Sequence, residues 1–282
     1  MSIKKYSFSE IHRKAERLRE LWRKFPATAL PKDDVLYEYD FAPLIGTICD
    51  EQINSSDAWS FPRWLYDRLR TFDLTSLLSV NYGKMLREYL KTRWPKGMKK
   101  DQRNRYLLKT SRTIKGALTF FKEEGKTPIT LFENRSYKAL EVYFTLRRVS
   151  GIGPKKASMI TRDFIYRSLG ILREHPWYDQ IKTKMPAFKV IEGNLLDMPI
   201  DVHVVKVFNR IFGRFRPSNK GWYGELSDHI QDILAFSKLT FQDLPVKLDQ
   251  ILWYVGRTYC NEWKPNCEKC PISEICDSSM KQ

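Results

Sequence analysis

Apolar residues recur at intervals of three and four along most of this chain, the spacing of helices with one buried face. Ile11, Ala15, Leu18, Trp22 and Phe25 mark the first stripe, with arginines and lysines between them. Ser7, three residues ahead of Glu10, fits a capping box that satisfies two free N–H groups at the helix start. Pro26 and Pro31 end that run. A second helical run begins at Phe41 (FAPLIGTICDEQI), and a third covers about 58–70 with Ser55 and Ser56 as caps. Residues 71–89 read as one or two short helices, and DQRNRYLLKTSRTIKGALTFF from Asp101 as a long helix. Residues 137–148 (YKALEVYFTLRR) form another amphipathic helix, followed by one from Pro154 to about 169 that Gly170 stops. After Pro199 comes IDVHVVKVFNRIFG, and 224–258 holds two more helices. Residues 171–199, broken by Pro176, Pro186 and Pro199, read as loop with short helices. The β-branched residues follow helical rather than alternating patterns, and no internal repeat is visible, so the expected fold class is all-α.

Composition narrows what such a fold serves. The chain has 282 residues, 42% of them hydrophobic and 13% aromatic, which suits a folded globular protein with a sizeable core. Its formal net charge of +16 calls for an anionic partner, with nucleic acid and anionic membrane as the usual candidates. Residues 91–115 alone carry ten Lys or Arg against one acid, Asp101. No run of eighteen apolar residues exists to span a membrane, and MSIKKYSFSEIHRKAERL lacks the apolar centre of a signal peptide. An intracellular location in a reducing compartment is therefore expected, the cytoplasm and nucleoid or a nucleus, where disulfides are rare.

The cysteines matter for that reason. Cys49 stands alone and reads as a small core residue. Cys260, Cys267, Cys270 and Cys276 crowd into CNEWKPNCEKCPISEIC with the spacing C-x6-C-x2-C-x5-C. Seventeen residues can fold around one centre, and four thiolates suit Zn²⁺ or an iron–sulfur cluster. Zinc sites usually come as two C-x2-C pairs. A single pair here leans towards [4Fe–4S], with Zn²⁺ as the alternative.

The stretch VSGIGPKKASMI, residues 149–160, raises a different chemistry. It lacks the lysine-serine or lysine-threonine ending of a P-loop, and it follows a helix where a dinucleotide fold would need a strand. A helix, then Gly151-Ile152-Gly153, then a helix opening at Pro154 has the form of a helix-hairpin-helix. Glycine permits the tight turn and a close backbone approach, and the N–H groups of the following helix start point at an anion, such as a DNA phosphate.

A helix-hairpin-helix, an aspartate opening a later helix and a C-terminal four-cysteine loop, in this order, resemble the endonuclease III group of helix-hairpin-helix DNA glycosylases. GRTYCNEWKPNCEKCPISEIC resembles the cluster loop of that family along its whole length. The resemblance spans about 40–276 and is strong at the three motifs. It implies a two-lobed fold: a helical bundle of about 40–160, and a second lobe from residues 1–39 and 161–282 carrying the cluster loop at 260–276, with DNA across the cleft. It also implies a catalytic lysine at Lys155, two positions after the second hairpin glycine, and a catalytic aspartate at Asp201, ahead of His203, Asn209 and Arg210. Gln52, in EQINSSDAW, is placed to fill the gap left by a flipped nucleotide. Gly151, Ile152, Gly153 and Lys156 would contact the DNA backbone, Lys156 tuning its neighbour as the other role. His203 reads as a structural histidine.

The implied function is base excision repair by a monomeric, bifunctional DNA glycosylase and abasic-site lyase. Its substrate would be double-stranded DNA with a damaged base or an abasic site, oxidised pyrimidines favoured. A monofunctional glycosylase acting on 8-oxoguanine, a mismatch or an alkylated base, and a non-catalytic DNA-binding protein with the cluster as scaffold or redox sensor, are the alternatives. One departure stands out. Forty-five residues separate Lys155 from Asp201, far more than in the family, and the extra segment carries Trp177, Tyr178 and Phe188.

Overall fold

Helix α1 (Phe8–Leu21) begins as its sequence requires. Ser7 Oγ accepts from the Glu10 backbone N–H at 3.3 Å, and Glu10 Oε2 accepts from the Ser7 N–H at 2.7 Å, which closes the capping box. The computed structural model describes residues 6–25, 33–132, 135–171, 188–213 and 226–278. Pro26, Pro31, Pro176, Trp177, Tyr178 and Pro186 lie outside these.

Six helices follow: α2 (Val35–Glu38), α3 (Phe41–Cys49), α4 (Ser55–Leu69), α5 (Leu74–Ser79), α6 (Tyr82–Tyr89) and α7 (Lys100–Glu124). The cap of α4 is Asn54. Ser55 and Ser56 lie within the helix, and the Asn54 amide turns to the Asp57 carboxylate at 3.1 Å. Helix α7 buries Tyr106, Leu107, Thr110, Ile114, Ala117, Leu118 and Phe121, a single stripe, and leaves Arg105, Lys109, Arg112 and Lys115 in solvent. Helix α3 packs on both α4 and α7, with Phe41 edge-on to Phe121 at 5.7 Å. Each large side chain buried fully in this way, such as Phe61 or Leu65, contributes about 1.5–3 kcal/mol.

Helices α8 (Ala139–Arg147) and α9 (Pro154–Ser168) pack against each other and form the two arms of the hairpin motif. The fold is all-α as expected, with one pair of three-residue strands beside the helices among the described residues. Strand β1 (Ser136–Lys138) pairs in parallel with β2 (Lys189–Ile191), Tyr137 opposite Val190. Each strand shows one buried residue between two exposed ones, too short a run for alternation to register, so Tyr137 and Lys138 read as helix from sequence. Phe188, from the extra segment, packs with Phe132, Tyr137 and Phe164 at centroid distances of 5.4, 5.9 and 5.0 Å. This part of the segment is therefore packed against the core, which Val190 enters.

The remaining helices are α10 (Val202–Ile211), α11 (Leu226–Thr240) and α12 (Lys247–Thr258), with a 3₁₀ turn at Ser273–Ile275. His203 and Lys206 of α10 meet Gly256, and Arg210 meets Cys260, so the two helices run side by side in the same direction. Gly256 makes the approach possible. A Cβ there would lie 2.9 Å from the His203 carbonyl oxygen and 3.1 Å from its Cα.

Helix α1 returns to pack on α11. Its Lys14 is buried, and the ammonium donates to the carbonyls of Ile211 at 3.1 Å and Ile275 at 2.5 Å and to Asp277 at 2.7 Å. A buried ammonium persists only with such a full set of acceptors. The first helix is thereby fastened to the end of the cysteine loop.

Candidate active site

The hairpin between α8 and α9 is set by one glycine. Gly151 has φ +82°, and a Cβ on it would lie 2.1 Å from Thr113 Cγ2, so only glycine fits where the turn presses on α7. Gly153 has neither constraint. Ile152 is buried and its N–H donates to Val149 O at 3.1 Å, so its side chain anchors the turn and only its backbone borders the outer surface. Arg147 closes the hairpin by donating to Ile152 O at 3.3 Å. Pro154 then starts α9, where its missing N–H costs nothing.

That start puts Lys155 on the first turn of α9, facing Asp201. The carboxylate caps α10: Oδ1 accepts from the N–H groups of His203 at 2.8 Å and Val204 at 2.9 Å. Its second oxygen, Oδ2, is left for Lys155, whose Nζ lies 3.6 Å away. At that distance the two form an ion pair without a hydrogen bond. The lysine side chain is 44% exposed and the aspartate 11%, so an open amine stands over a sheltered carboxylate. The 45 intervening residues do not keep the two apart.

The cysteine loop follows α12. Cys260, Cys267, Cys270 and Cys276 all line one cavity, together with Arg210, Val255 and Tyr259 among others. Arg210, from the last turn of α10, organises the loop. Its guanidinium donates to Cys260 Sγ at 3.1 Å and to the carbonyls of Asn261 at 2.9 Å and Glu262 at 2.6 Å, and its own carbonyl accepts from Cys276 Sγ at 3.4 Å. Burial pushes the thiols up, Cys270 to about 11 and Cys276 to about 12. The four cysteines line the one cavity; among the described residues no three or more His, Cys, Asp or Glu side chains gather so as to hold a single metal ion.

A solved structure of endonuclease III, trapped as a covalent intermediate with DNA in an estranged-adenine complex, is similar in fold to this chain over 97% of both chains. The TM-score is 0.52 and the sequence identity 13%. The fold is that of endonuclease III. No protein-family model matches the sequence, and no curated protein matches it. The likeness to endonuclease III therefore lies in the path of the backbone.

Within this endonuclease III fold, two further expected residues take particular positions. Lys156 is half-buried and donates to Ile48 O at 3.2 Å at the end of α3. Burial pushes its ammonium below the usual lysine range, while Glu51 and Asp50 pull it back. Gln52 lies in the bend after α3 rather than in a helix. It is exposed and holds φ +63°, a conformation that costs a non-glycine residue about 1–2 kcal/mol. Cys49 is a core residue, buried fully and pushed up to about 12 by burial. Burial also lowers His203, which keeps that imidazole neutral.

Sequence reasoning missed a second ionic group below the Lys155–Asp201 pair. Arg162 and Asp249 are both buried and paired, and Arg162 also grips Asp163 through Nε at 2.9 Å and Nη2 at 2.8 Å. The available signals were the seven-residue spacing from Lys155 to Arg162 and a single acid at an apolar position of KLDQILWYV. Among the described residues no helix is long and apolar enough to cross a membrane.

Proposed function

We propose that this chain is a DNA glycosylase of the endonuclease III type with abasic-site lyase activity, acting on a damaged base in duplex DNA. The observation that carries the reading is Lys155 Nζ at 3.6 Å from Asp201 Oδ2, an exposed amine over a sheltered carboxylate at the mouth of a helix-hairpin-helix. The surplus of 16 positive charges and the exposed basic face of α7 support a DNA partner.

The damaged nucleotide first leaves the stack, at a cost of a few kcal/mol. Breaking its N-glycosidic bond builds positive charge on the deoxyribose, as in other glycoside cleavages. Asp201 Oδ1 is held by two N–H groups, so Oδ2 is fixed in place to stabilise that charge. Lys155, once neutral, attacks C1′ as the base departs. Opening of the sugar ring, with the C1′–O4′ bond breaking and O4′ taking up a proton, then gives the Schiff base, which acidifies the 2′ position and permits strand cleavage by β-elimination. Gly151 and the start of α9 would seat the neighbouring backbone phosphate. Within this class oxidised pyrimidines remain the favoured substrate, and the lobes divide near residue 160.

Cys260, Cys267, Cys270 and Cys276 would hold a [4Fe–4S] cluster. All four line one cavity, and burial raises the Cys260, Cys270 and Cys276 thiols, which a positive centre would let ionise. Such a cluster supplies structural cross-linking of the loop. Iron and sulfide analysis with a visible absorption spectrum distinguishes it from zinc.

Borohydride trapping on abasic-site duplex DNA tests the enzymatic reading. A covalent adduct is expected with the native chain and none with Lys155→Ala. An adduct undiminished in Lys155→Ala, or none with the native chain, refutes the lyase reading. Base excision without an adduct would mark a monofunctional glycosylase.

A further inference from the structure

The cations of α7 are not all alike. Arg105 pairs with Asp101 at 3.0 Å and Lys109 with Glu51 at 2.5 Å. Arg112 and Lys115 are exposed and have no carboxylate partner among the described residues. They stand one turn apart, where like charges repel. Both line an open groove of about 470 Å³ between α7 and the connection from α5 to α6. Ser79, Asn81, Gly83 and Ser111 supply much of the remaining wall, and no carboxylate lines it. The first turn of α6 holds no acid either, and Lys84 stands in it. Asn81 Oδ1 caps that helix by accepting the Lys84 N–H at 3.0 Å. The attraction for an anion therefore rests on the Arg112 and Lys115 side chains.

The groove adjoins the hairpin. Thr113 is the residue that Gly151 presses on, and Gly116 faces Ser150, whose Oγ lies 2.8 Å from where a Cβ would stand. Arg112 and Lys115 each precede one of these contacts by one residue, which is about 100° around the helix. The hairpin and the groove thus occupy neighbouring faces of the same two turns of α7. A helix with its side chains is about 10–12 Å across. Phosphates of one strand advance about 3.4 Å per nucleotide along the duplex. The two places are therefore about three nucleotides apart.

We propose that this groove is a second phosphate seat: Arg112 and Lys115 hold a phosphodiester of the duplex about three nucleotides from the one at the hairpin. This rests on the glycosylase reading above. Such a contact reads no bases. It fixes the register of the duplex over α7, so that the damaged nucleotide is presented to the hairpin.

The test compares the native chain with Arg112→Gln/Lys115→Gln, each as the full chain. Both positions are exposed, so the substitutions leave the core untouched. Binding is measured on a duplex carrying one stable abasic-site analogue. A single neutral methylphosphonate linkage is walked along each strand, and the salt dependence is followed on the unmodified duplex. The native chain should lose affinity at two places, the second about three nucleotides from the first. In the double variant the second loss should disappear. The slope of log affinity against log salt should become shallower by about 1.8, which is about tenfold less sensitivity between 50 and 200 mM.

An unchanged slope with the native methylphosphonate profile overturns the proposal and leaves the glycosylase reading intact. A shallower slope with both losses retained marks unlocalised attraction and also overturns the seat. No affinity of the native chain for any duplex overturns both.

Discussion

Gly151 and Gly153 stand two apart in one motif, yet the structure makes them unequal. An alanine Cβ at 151 would fall 2.1 Å from Thr113 Cγ2, where carbon atoms in contact need about 3.5–4.0 Å. Holding an L-residue at φ +82° costs about 1–2 kcal/mol. Relieving the overlap through a rotamer or backbone shift costs about 1–3 kcal/mol more. Gly151→Ala should therefore lose about 2–5 kcal/mol of unfolding free energy, read as a lower midpoint in urea at unchanged slope. At Gly153 an added Cβ would find only Arg147 Nη1 at 3.8 Å, an ordinary contact, and φ is not positive. Gly153→Ala should stay within about 0.5 kcal/mol of the native chain. Adding Thr113→Ser to Gly151→Ala removes the clashing methyl and should return the packing share, leaving the 1–2 kcal/mol, roughly, of backbone strain. Equal losses at the two glycines, or no loss at Gly151, would refute this account of the hairpin.

Other expectations follow from single contacts. Asp201→Asn keeps a good helix cap, so thermal stability should change by less than about 1 kcal/mol, while single-turnover base excision falls at least about 10²-fold with DNA affinity retained. Lys14→Met takes the donor from the buried Ile275 carbonyl and breaks the ion pair to Asp277, and should cost about 2–4 kcal/mol, seen as a lower melting temperature. Asp249 lies near 7 in the folded chain against about 4 when unfolded, so between those values the folded chain holds a proton the unfolded one has released. Its stabilisation is present below about pH 4 and lost as pH rises to about 7; the urea midpoint of the native chain should fall over that window relative to Asp249→Asn. Gly256→Ala pushes α10 off α12 against backbone atoms that cannot yield, and should reduce both stability and excision.

How much of this was legible in the sequence depended on the range of the interaction. Ser7 and Glu10, three residues apart, announced the start of α1, and the stripe from Tyr106 to Phe121 announced the buried face of α7. Glycine and proline spacing marked the hairpin, and the resemblance to a known family pointed at Lys155 and Asp201. Long-range contacts left no such trace. The β1–β2 pair joins residues more than fifty apart in strands of three, and nothing in SYK alone predicts its partner. Nothing local in GPKKA marks that the Lys156 ammonium reaches the last carbonyls of α3. Arg162 and Asp249 read as ordinary helix residues because each became ionic machinery only through burial beside the other.

The clasp at Lys14 also bears on the order in which the chain can fold. Its carbonyl acceptors lie 197 and 261 residues further on, at Ile211 and Ile275. Closing a free loop of the longer span carries an entropic cost that grows as the logarithm of its length, about 5 kcal/mol plus a constant. Helices α3 to α9 pack largely with near neighbours in sequence and can form beforehand, which shortens the loop left to close. Docking of α1 then becomes a late event and its release an early one in unfolding. Because the far end of the clasp is the cysteine loop itself, whatever orders or disorders that loop is transmitted to the first helix of the chain.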